Sequence, residues 1–197
     1  SDEVWEVIVK DLKENTYSTH HFDAVLVCNG HYCAPSIPSY ENTRHLFEGR
    51  QLHSHEYRCP ESFSNQSVLI IGAGPSARDA LLDIQQVATR ITWSHHLKKL
   101  PGTRFRDNVS QKPDVLKLTR DGATFIDGSY QQFSVILYCT GYRYTFPFLS
   151  IDCGISVDGS YVDGLFKHCL NINRPTMGII GLPNFICPNQ MFDLQVM

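Results

Sequence analysis

The sequence predicts an α/β fold organised on a parallel sheet, and three observations carry that prediction. The first is Ser67–Asp83, which reads as a buried strand, a glycine turn and a helix in that order. The second is a set of short apolar runs, Phe22–Val27 and Ser134–Tyr138, each leading into a glycine, with a third at Met177–Leu182. The third is Arg90–Trp93, a further strand that follows the helix directly, as a βαβ unit requires.

In chain order, Val4–Lys10 alternates with period two, Asn15-Thr16 forms a turn, and Thr16–Thr19 returns as a second strand. Phe22–Val27 is expected as a buried strand ending in Cys28-Asn29-Gly30-His31. A proline-rich loop spans Ala34–Ser39, and the polar stretch Asn42–Pro60 is expected to hold a short helix. Val68, Leu69, Ile70 and Ile71 are the β-branched and apolar run of a central parallel strand. Ala77, Ala80, Leu81, Ile84, Val87 and Ala88 then recur at helical spacing, with Ser76 and Asp79 as a capping pair. Val115–Leu118 and Ala123–Ile126 form a hairpin around Arg120-Asp121-Gly122, and Asp127-Gly128-Ser129 is another turn. The chain has no internal repeat and no low-complexity segment.

Between the strand and the helix, Gly72-Ala73-Gly74-Pro75-Ser76-Ala77 fits GxGxxG/A. The first glycine permits the tight turn, the second admits a pyrophosphate to the backbone, and Ala77 lets the helix pack close to the strand. A helix start offers unpaired N–H groups and a positive dipole end to phosphate. The segment therefore reads as a dinucleotide site in a Rossmann-like domain, the alternative being a glycine turn that holds no ligand. An NAD site places Asp or Glu about 20 residues past the turn, on the ribose 2′-hydroxyl. Here that region is Ser94-His95-His96-Leu97-Lys98-Lys99, without an acid. Its hydroxyl, imidazole and ammonium groups suit a 2′-phosphate, so NADP is favoured, with Ser94, His95 and Lys98 as the phosphate's candidate partners. Arg104 and Arg106 follow in the next loop and add charge. The competing reading is a solvated polar turn.

Composition bounds the partners. The chain has 197 residues, 42% hydrophobic and 19% charged, with a formal net charge of −3. That balance is an ordinary globular one and argues against nucleic acid. No apolar run approaches the roughly 18 residues of a membrane span. The polar start, Ser1-Asp2-Glu3, shows no signal peptide, and an intracellular setting with reduced thiols is expected. The seven cysteines form no CxxC, and Cys28 and Cys139, ending apolar runs, are expected to be buried. His53 and His55 lack companion ligands, so no metal site is assigned.

Two exits are alike: FDAVLVCNGHY and FSVILYCTGYRY. Asn29, Gly30, Thr140 and Gly141 are the candidates for close backbone approach to a flavin or nicotinamide. The alternative is a pair of buried strands that end in turn residues.

Together these residues resemble the flavin-containing monooxygenases. Phe47–Tyr57 fits FxGxxxHxxxY, and it lies just before the glycine turn. Cys139-Thr140-Gly141-Tyr142 is similar to the family's ATGY segment, with Cys139 replacing alanine, and Phe146-Pro147-Phe148-Leu149 follows it. Gly181-Leu182-Pro183 and Asp193-Leu194-Gln195 are similar to later FAD-side segments, which makes Gln195 a further cofactor candidate. Tyr57 stands where Baeyer–Villiger relatives carry Trp, and Met197 where the family commonly has Arg.

The resemblance implies a two-dinucleotide-domain flavoprotein. Residues 1–57 would be part of an FAD-binding domain and linker, 58–145 a Rossmann-like NADP-binding domain, and 146–197 a return to the FAD-binding domain. It implies an NADPH- and FAD-dependent monooxygenase acting through a C4a-hydroperoxyflavin on dioxygen and a small nucleophile, an amine nitrogen or a sulfide sulfur. No catalytic side chain is expected in this chain, because the cofactor performs the chemistry. His53 and Tyr57, four apart, would share a face if helical; the resemblance implies a connector between domains, the alternative being a packed linker whose His and Tyr satisfy backbone groups. The family's first glycine turn, which holds the FAD pyrophosphate, is not in this sequence. The chain is thus expected to be an internal piece that binds FAD weakly or not at all and is inactive alone. The resemblance also implies an intracellular location, in the cytoplasm or on the endoplasmic reticulum membrane. The rival readings are a Baeyer–Villiger monooxygenase, another flavoprotein reductase, or a non-catalytic NADP-binding fragment.

Overall fold

The computed structural model describes residues 4–41, 43–98, 102–184 and 186–197. They form two compact units, Ser1–Ala34 with Arg143–Met197, and Pro35–Tyr142. In chain order, β1 (Trp5–Asp11) and β2 (Thr16–Phe22) make an antiparallel hairpin, longer than expected, with Trp5 opposite Phe22. Its turn is set by Asn15 at φ 53° and by the Asp11 carboxylate, which accepts the Lys13 and Glu14 N–H groups. β3 is only Val25–Val27. The buried strand expected over Phe22–Val27 is corrected here: Phe22 closes the hairpin, Leu26 is 61% exposed, and Val27 alone is buried. Cys28 is likewise exposed rather than buried, since the strand ends before it.

β4 (Ala34–Pro35) marks the crossing into the second unit. There β5 (Arg50–His53), β6 (Ser67–Ile71), β7 (Arg90–Ser94), β8 (Val109–Lys112) and β12 (Val135–Tyr138) form a five-stranded sheet in the order β5-β12-β6-β7-β8, parallel throughout. Helix α1 (Pro75–Ile84) covers one face. An antiparallel meander of β9 (Val115–Leu118), β10 (Gly122–Phe125) and β11 (Tyr130–Gln132) covers the other. Alternate residues of β6 serve the two layers. Val68 and Ile70 pack with Ala77, Leu81 and Ile84 of α1, whereas Leu69 and Ile71 pack with Leu118 and Phe125. A parallel sheet buried on both faces needs such an unbroken apolar run.

Several expectations are corrected. The helix expected in Asn42–Pro60 is a short 3-10 turn, Arg44–Leu46, and Arg50–His53 is a strand that runs beside β12. Stretch 35–57 therefore folds with the second unit, not with the portion before it. His53 and Tyr57 share no helical face, because His53 ends β5. The cap of α1 is Gly74, without a side-chain hydrogen bond; Pro75 holds the first helical position and carries Ser76 past the capping site. Helix α1 stops at Ile84, so Val87 and Ala88 pack from the turn that follows.

β13 (Tyr142–Arg143) marks the return to the first unit. β14 (Ser156–Asp158) and β15 (Tyr161–Asp163) form a hairpin. β16 (Leu165–Phe166), β17 (Leu170–Asn171) and β18 (Met177–Ile179) join β3 in the order β16-β17-β18-β3, where β18 and β3 are parallel. The apolar run Met177–Leu182 thus gives a strand of only its first three residues. Helix α2 (Pro188–Val196) ends the chain.

Candidate functional site

The glycine turn between β6 and α1 is fixed by its neighbours. Gly72 has φ +122°, a region L side chains rarely adopt, and a Cβ there would stand 2.2 Å from the Cys139 carbonyl oxygen. The Gly72 N–H donates to the Ser94 carbonyl at 3.0 Å, and the buried Trp93 indole N–H donates to the Gly72 carbonyl at 2.6 Å. The turn is thereby tied to β12 on one side and β7 on the other.

Gly74 differs in kind. Its φ of −74° and ψ of 179° suit any residue, yet a Cβ there would meet nothing within 4 Å. Its carbonyl accepts from Ala77 and Arg78 at 3.2 and 3.4 Å, and Pro75 contributes no N–H. Ala77 is fully buried, as close helix–strand packing demands, while Ala73 is half-buried and Ser76 exposed. Open space above Gly74, next to the N-terminal end of a ten-residue helix, fits a diphosphate. It lies at the carboxyl edge of a parallel sheet, where open α/β folds bind ligands.

The exit of β7 changes the roster of groups for the ribose. The Ser94 hydroxyl, fully buried, donates to the Pro113 carbonyl at 2.8 Å. The buried His95 ring meets Gln111 Oε1 with Nε2 at 2.9 Å and accepts the Leu97 N–H with Nδ1. Both side chains are engaged inside the protein and are not available to a 2′-phosphate. His96 and Lys98 are exposed, and His96 Nδ1 lies 3.4 Å from an Asp114 carboxylate oxygen. Arg104 and Arg106 are exposed as well, and Lys99 lies outside the described residues. Trp93 as a pin for the turn and Asp114 beside the exit were both missed. The signal for Asp114 was an acid two residues beyond β8, a strand whose sequence VSQK is too polar to announce itself.

The two glycine exits fall in different units. In the second, Gly141 has φ +80°; its carbonyl accepts the Ser36 N–H at 2.9 Å, and the Thr140 hydroxyl donates to the Ser36 carbonyl at 2.5 Å. In the first, Gly30 has φ +73°, and the next residue, His31, meets Asn184 Oδ1 at 2.9 Å. Asn184 in turn donates to the Tyr144 hydroxyl at 2.9 Å. A Cβ on either glycine would meet no atom within 4 Å, so both backbones are open to a ligand. Asn29, beside Gly30, is exposed. Gln195 on α2 accepts the Gly181 N–H at 3.1 Å, and its buried Nε2 has no hydrogen-bond partner.

Burial sets the protonation of the groups around the turn. The Cys139 thiol is pushed up to about 12, so it is an inert core group. His53 is held below its ordinary value, mainly by burial and against the pull of the Gly141 carbonyl. Its Nδ1 accepts the His55 N–H at 3.1 Å, while Nε2 makes no hydrogen bond of acceptable geometry, the Gly141 carbonyl included. Tyr57 donates to Asp83 at 3.3 Å, from β5's trailing loop to α1. Among the described residues, no group of three His, Cys, Asp or Glu is placed to hold a metal, and no helix is long and apolar enough to cross a membrane.

Comparison with known proteins identifies the family of the chain. The family model described as flavin-binding monooxygenase-like matches residues 1–97 and 95–189. Senecionine N-oxygenase of Tyria jacobaeae is 33% identical over 187 residues, which is 92% of this chain and 41% of that protein. The structure of S-allyl-L-cysteine S-oxygenase from Allium sativum superposes with a TM-score of 0.83 at 34% identity, covering 98% of this chain and 44% of that one. Tmm from Pelagibacter sp. strain HTCC7211 superposes with a TM-score of 0.86 at 28% identity, covering 98% and 44%. The chain thus spans well under half the length of these relatives.

Proposed function

The chain belongs to the flavin-binding monooxygenase-like family, and on that premise we propose that it carries the pyridine-nucleotide site of an NADPH- and FAD-dependent monooxygenase. The substrates proposed are small soft nucleophiles, oxygenated by dioxygen at an amine nitrogen or a sulfide sulfur. Relatives named as an N-oxygenase and an S-oxygenase support that class.

The observation that carries the reading is the Gly72–Ala77 turn. Its first glycine is required by the fold, and its second faces open space although nothing in the fold requires it to be glycine. A ligand that must approach the backbone explains the second glycine. In this reading the backbone amides of Gly72–Ala77 and the start of α1 hold the diphosphate. The cationic Lys98, with His96, Arg104 and Arg106 nearby in sequence, faces the 2′-phosphate in place of Ser94 and His95. Pro35–Tyr142 is then the NADP unit and the other unit belongs to FAD, with Asn29, Gly30 and Gln195 on the flavin side and Thr140 and Gly141 at the exit of β12. Bound flavin would supply dioxygen activation, and bound NADPH the reducing equivalents. The protein's own part is to bind, to orient and to exclude water.

The test is calorimetric titration of the folded chain with NADP+, followed by product analysis with the FAD-loaded protein that carries it. Saturable binding, then an N-oxide from a tertiary amine or a sulfoxide from a thioether, is expected. Absence of NADP+ binding by folded protein refutes the site. Ester formation from a ketone, or disulfide reduction without oxygenation, refutes the reaction class.

A further inference from the structure

Five strand exits line the carboxyl edge of the parallel sheet, and those of β6, β7 and β8 stand side by side. The Gly72 N–H meets the Ser94 carbonyl at 3.0 Å, which sets the exit of β7 against the coenzyme turn. Ser94 pairs in register with Lys112, and the His95 N–H donates to the Lys112 carbonyl at 3.1 Å. Asp114, two residues on, therefore emerges beside His96, and the two side chains approach to 3.4 Å. The ribose of a dinucleotide held by such a turn lies over the neighbouring strand, where an acid from that strand ordinarily binds the 2′-hydroxyl. Here the neighbouring strand has no acid, but the strand after it brings one beside His96, at the exit of that neighbouring strand.

We propose that the His96–Asp114 pair is the determinant of coenzyme choice and that it makes the site tolerant of NAD as well as NADP. The inference rests on the reading of Gly72–Ala77 as the coenzyme's turn. Asp114 is an acceptor without a donor, so it takes the hydrogen bond of a free ribose 2′-hydroxyl and repels a 2′-phosphate. His96 has the opposite preference, and Asp114 competes with the phosphate for it. Ser94 and His95, the other candidates at this exit, are withdrawn by their bonds to Pro113 and Gln111. Lys112 is engaged too, with Asp127 at 3.2 Å, so it does not neutralise Asp114. Lys98 keeps some preference for the phosphate, and the balance is a weak selectivity rather than a strict one.

The experiment measures Kd for NADP+ and for NAD+ with the whole chain and with Asp114→Ala, Asp114→Asn and His96→Ala, each checked for an unchanged melting curve. The unaltered protein should bind both coenzymes within about tenfold of each other. Asp114→Ala should raise the preference for NADP+ by roughly five- to tenfold, with NAD+ weakened and NADP+ strengthened. Asp114→Asn should move NADP+ the same way and weaken NAD+ less. His96→Ala should lower NADP+ affinity by roughly three- to fivefold and leave NAD+ nearly constant. Variants that bind both coenzymes with the original ratio overturn the proposal and leave the dinucleotide site standing. Failure of the unaltered, folded protein to bind either coenzyme overturns the site itself, and the proposal with it.

Discussion

Two glycines two residues apart should fail in different ways. In Gly72→Ala the new Cβ would sit 2.2 Å from the Cys139 carbonyl oxygen, where ordinary contact starts at 3.4 Å, a shortfall of about 1.2 Å. The obstacle is backbone, and β12 cannot retreat: the Cys139 N–H donates to the Ile71 carbonyl at 2.8 Å, and β12 is paired on both edges. Adding the left-handed φ of +122° gives about 1–3 kcal/mol of backbone strain and a similar amount of overpacking, roughly 2–6 kcal/mol together. For a chain of this length, that lowers Tm by on the order of 10 °C. Gly74→Ala meets no atom within 4 Å and keeps a φ of −74°. Its lower unfolded-state entropy and its poorer capping roughly cancel, so stability should change by less than about 1 kcal/mol. The methyl would stand where the diphosphate approaches, and NADP+ should bind at least about tenfold more weakly, a difference of about 1.4 kcal/mol. Thermal melts and NADP+ titrations of both variants decide the matter. A Gly74→Ala protein with unaltered NADP+ affinity refutes the coenzyme turn, and a Gly72→Ala protein as stable as its parent refutes the steric argument.

Other outcomes follow from the same contacts. Trp93→Phe removes the indole bond to the Gly72 carbonyl and leaves a void in a fully buried site, so urea unfolding should show a loss of about 1–3 kcal/mol, with NADP+ affinity falling alongside. Cysteine alkylation at pH 8, mapped by mass spectrometry, should label the exposed Cys28, Cys33, Cys59 and Cys187 and spare Cys139 until the protein unfolds, because burial holds that thiol protonated up to about 12. His53 has a folded pKa below the ordinary 6.5, so the unfolded chain takes its proton first. Stability should therefore be full above pH 6.5 and decline as the pH falls through that value; denaturant midpoints at several pH values should show the decline weakened in His53→Gln. Tyr57→Phe loses a long, exposed bond to Asp83 and should cost less than about 1 kcal/mol by the same assay.

The sequence spoke most clearly where local signals coincide. At Ser67–Asp83 an apolar run, two glycines and a helical period each require the others, and strand, turn and helix all formed there. Val135–Tyr138, sheltered between two neighbours, was legible for the same reason. Edge strands were not. β5 reads RQLH and β8 reads VSQK, because a strand with one neighbour need not be apolar along its length. The hidden strand β5 moved the boundary of the second unit, since a segment taken for a linker is part of a sheet.

The groups at the exit of β7 were obscured for a different reason. Residue types at 94–98 announce hydroxyl, imidazole and ammonium chemistry, but availability depends on what packs against them. The polypeptide that silences Ser94 and His95 arrives from residues 111–113, and the same passage delivers Asp114 to His96. A single piece of chain thus removes two donors and adds one acceptor at the exit of β7. If the proposed pairing holds, coenzyme choice in this chain depends on β8 as much as on β7. The Asp114 variants test that dependence directly, because they change neither β6 nor β7 and still should alter which coenzyme is held.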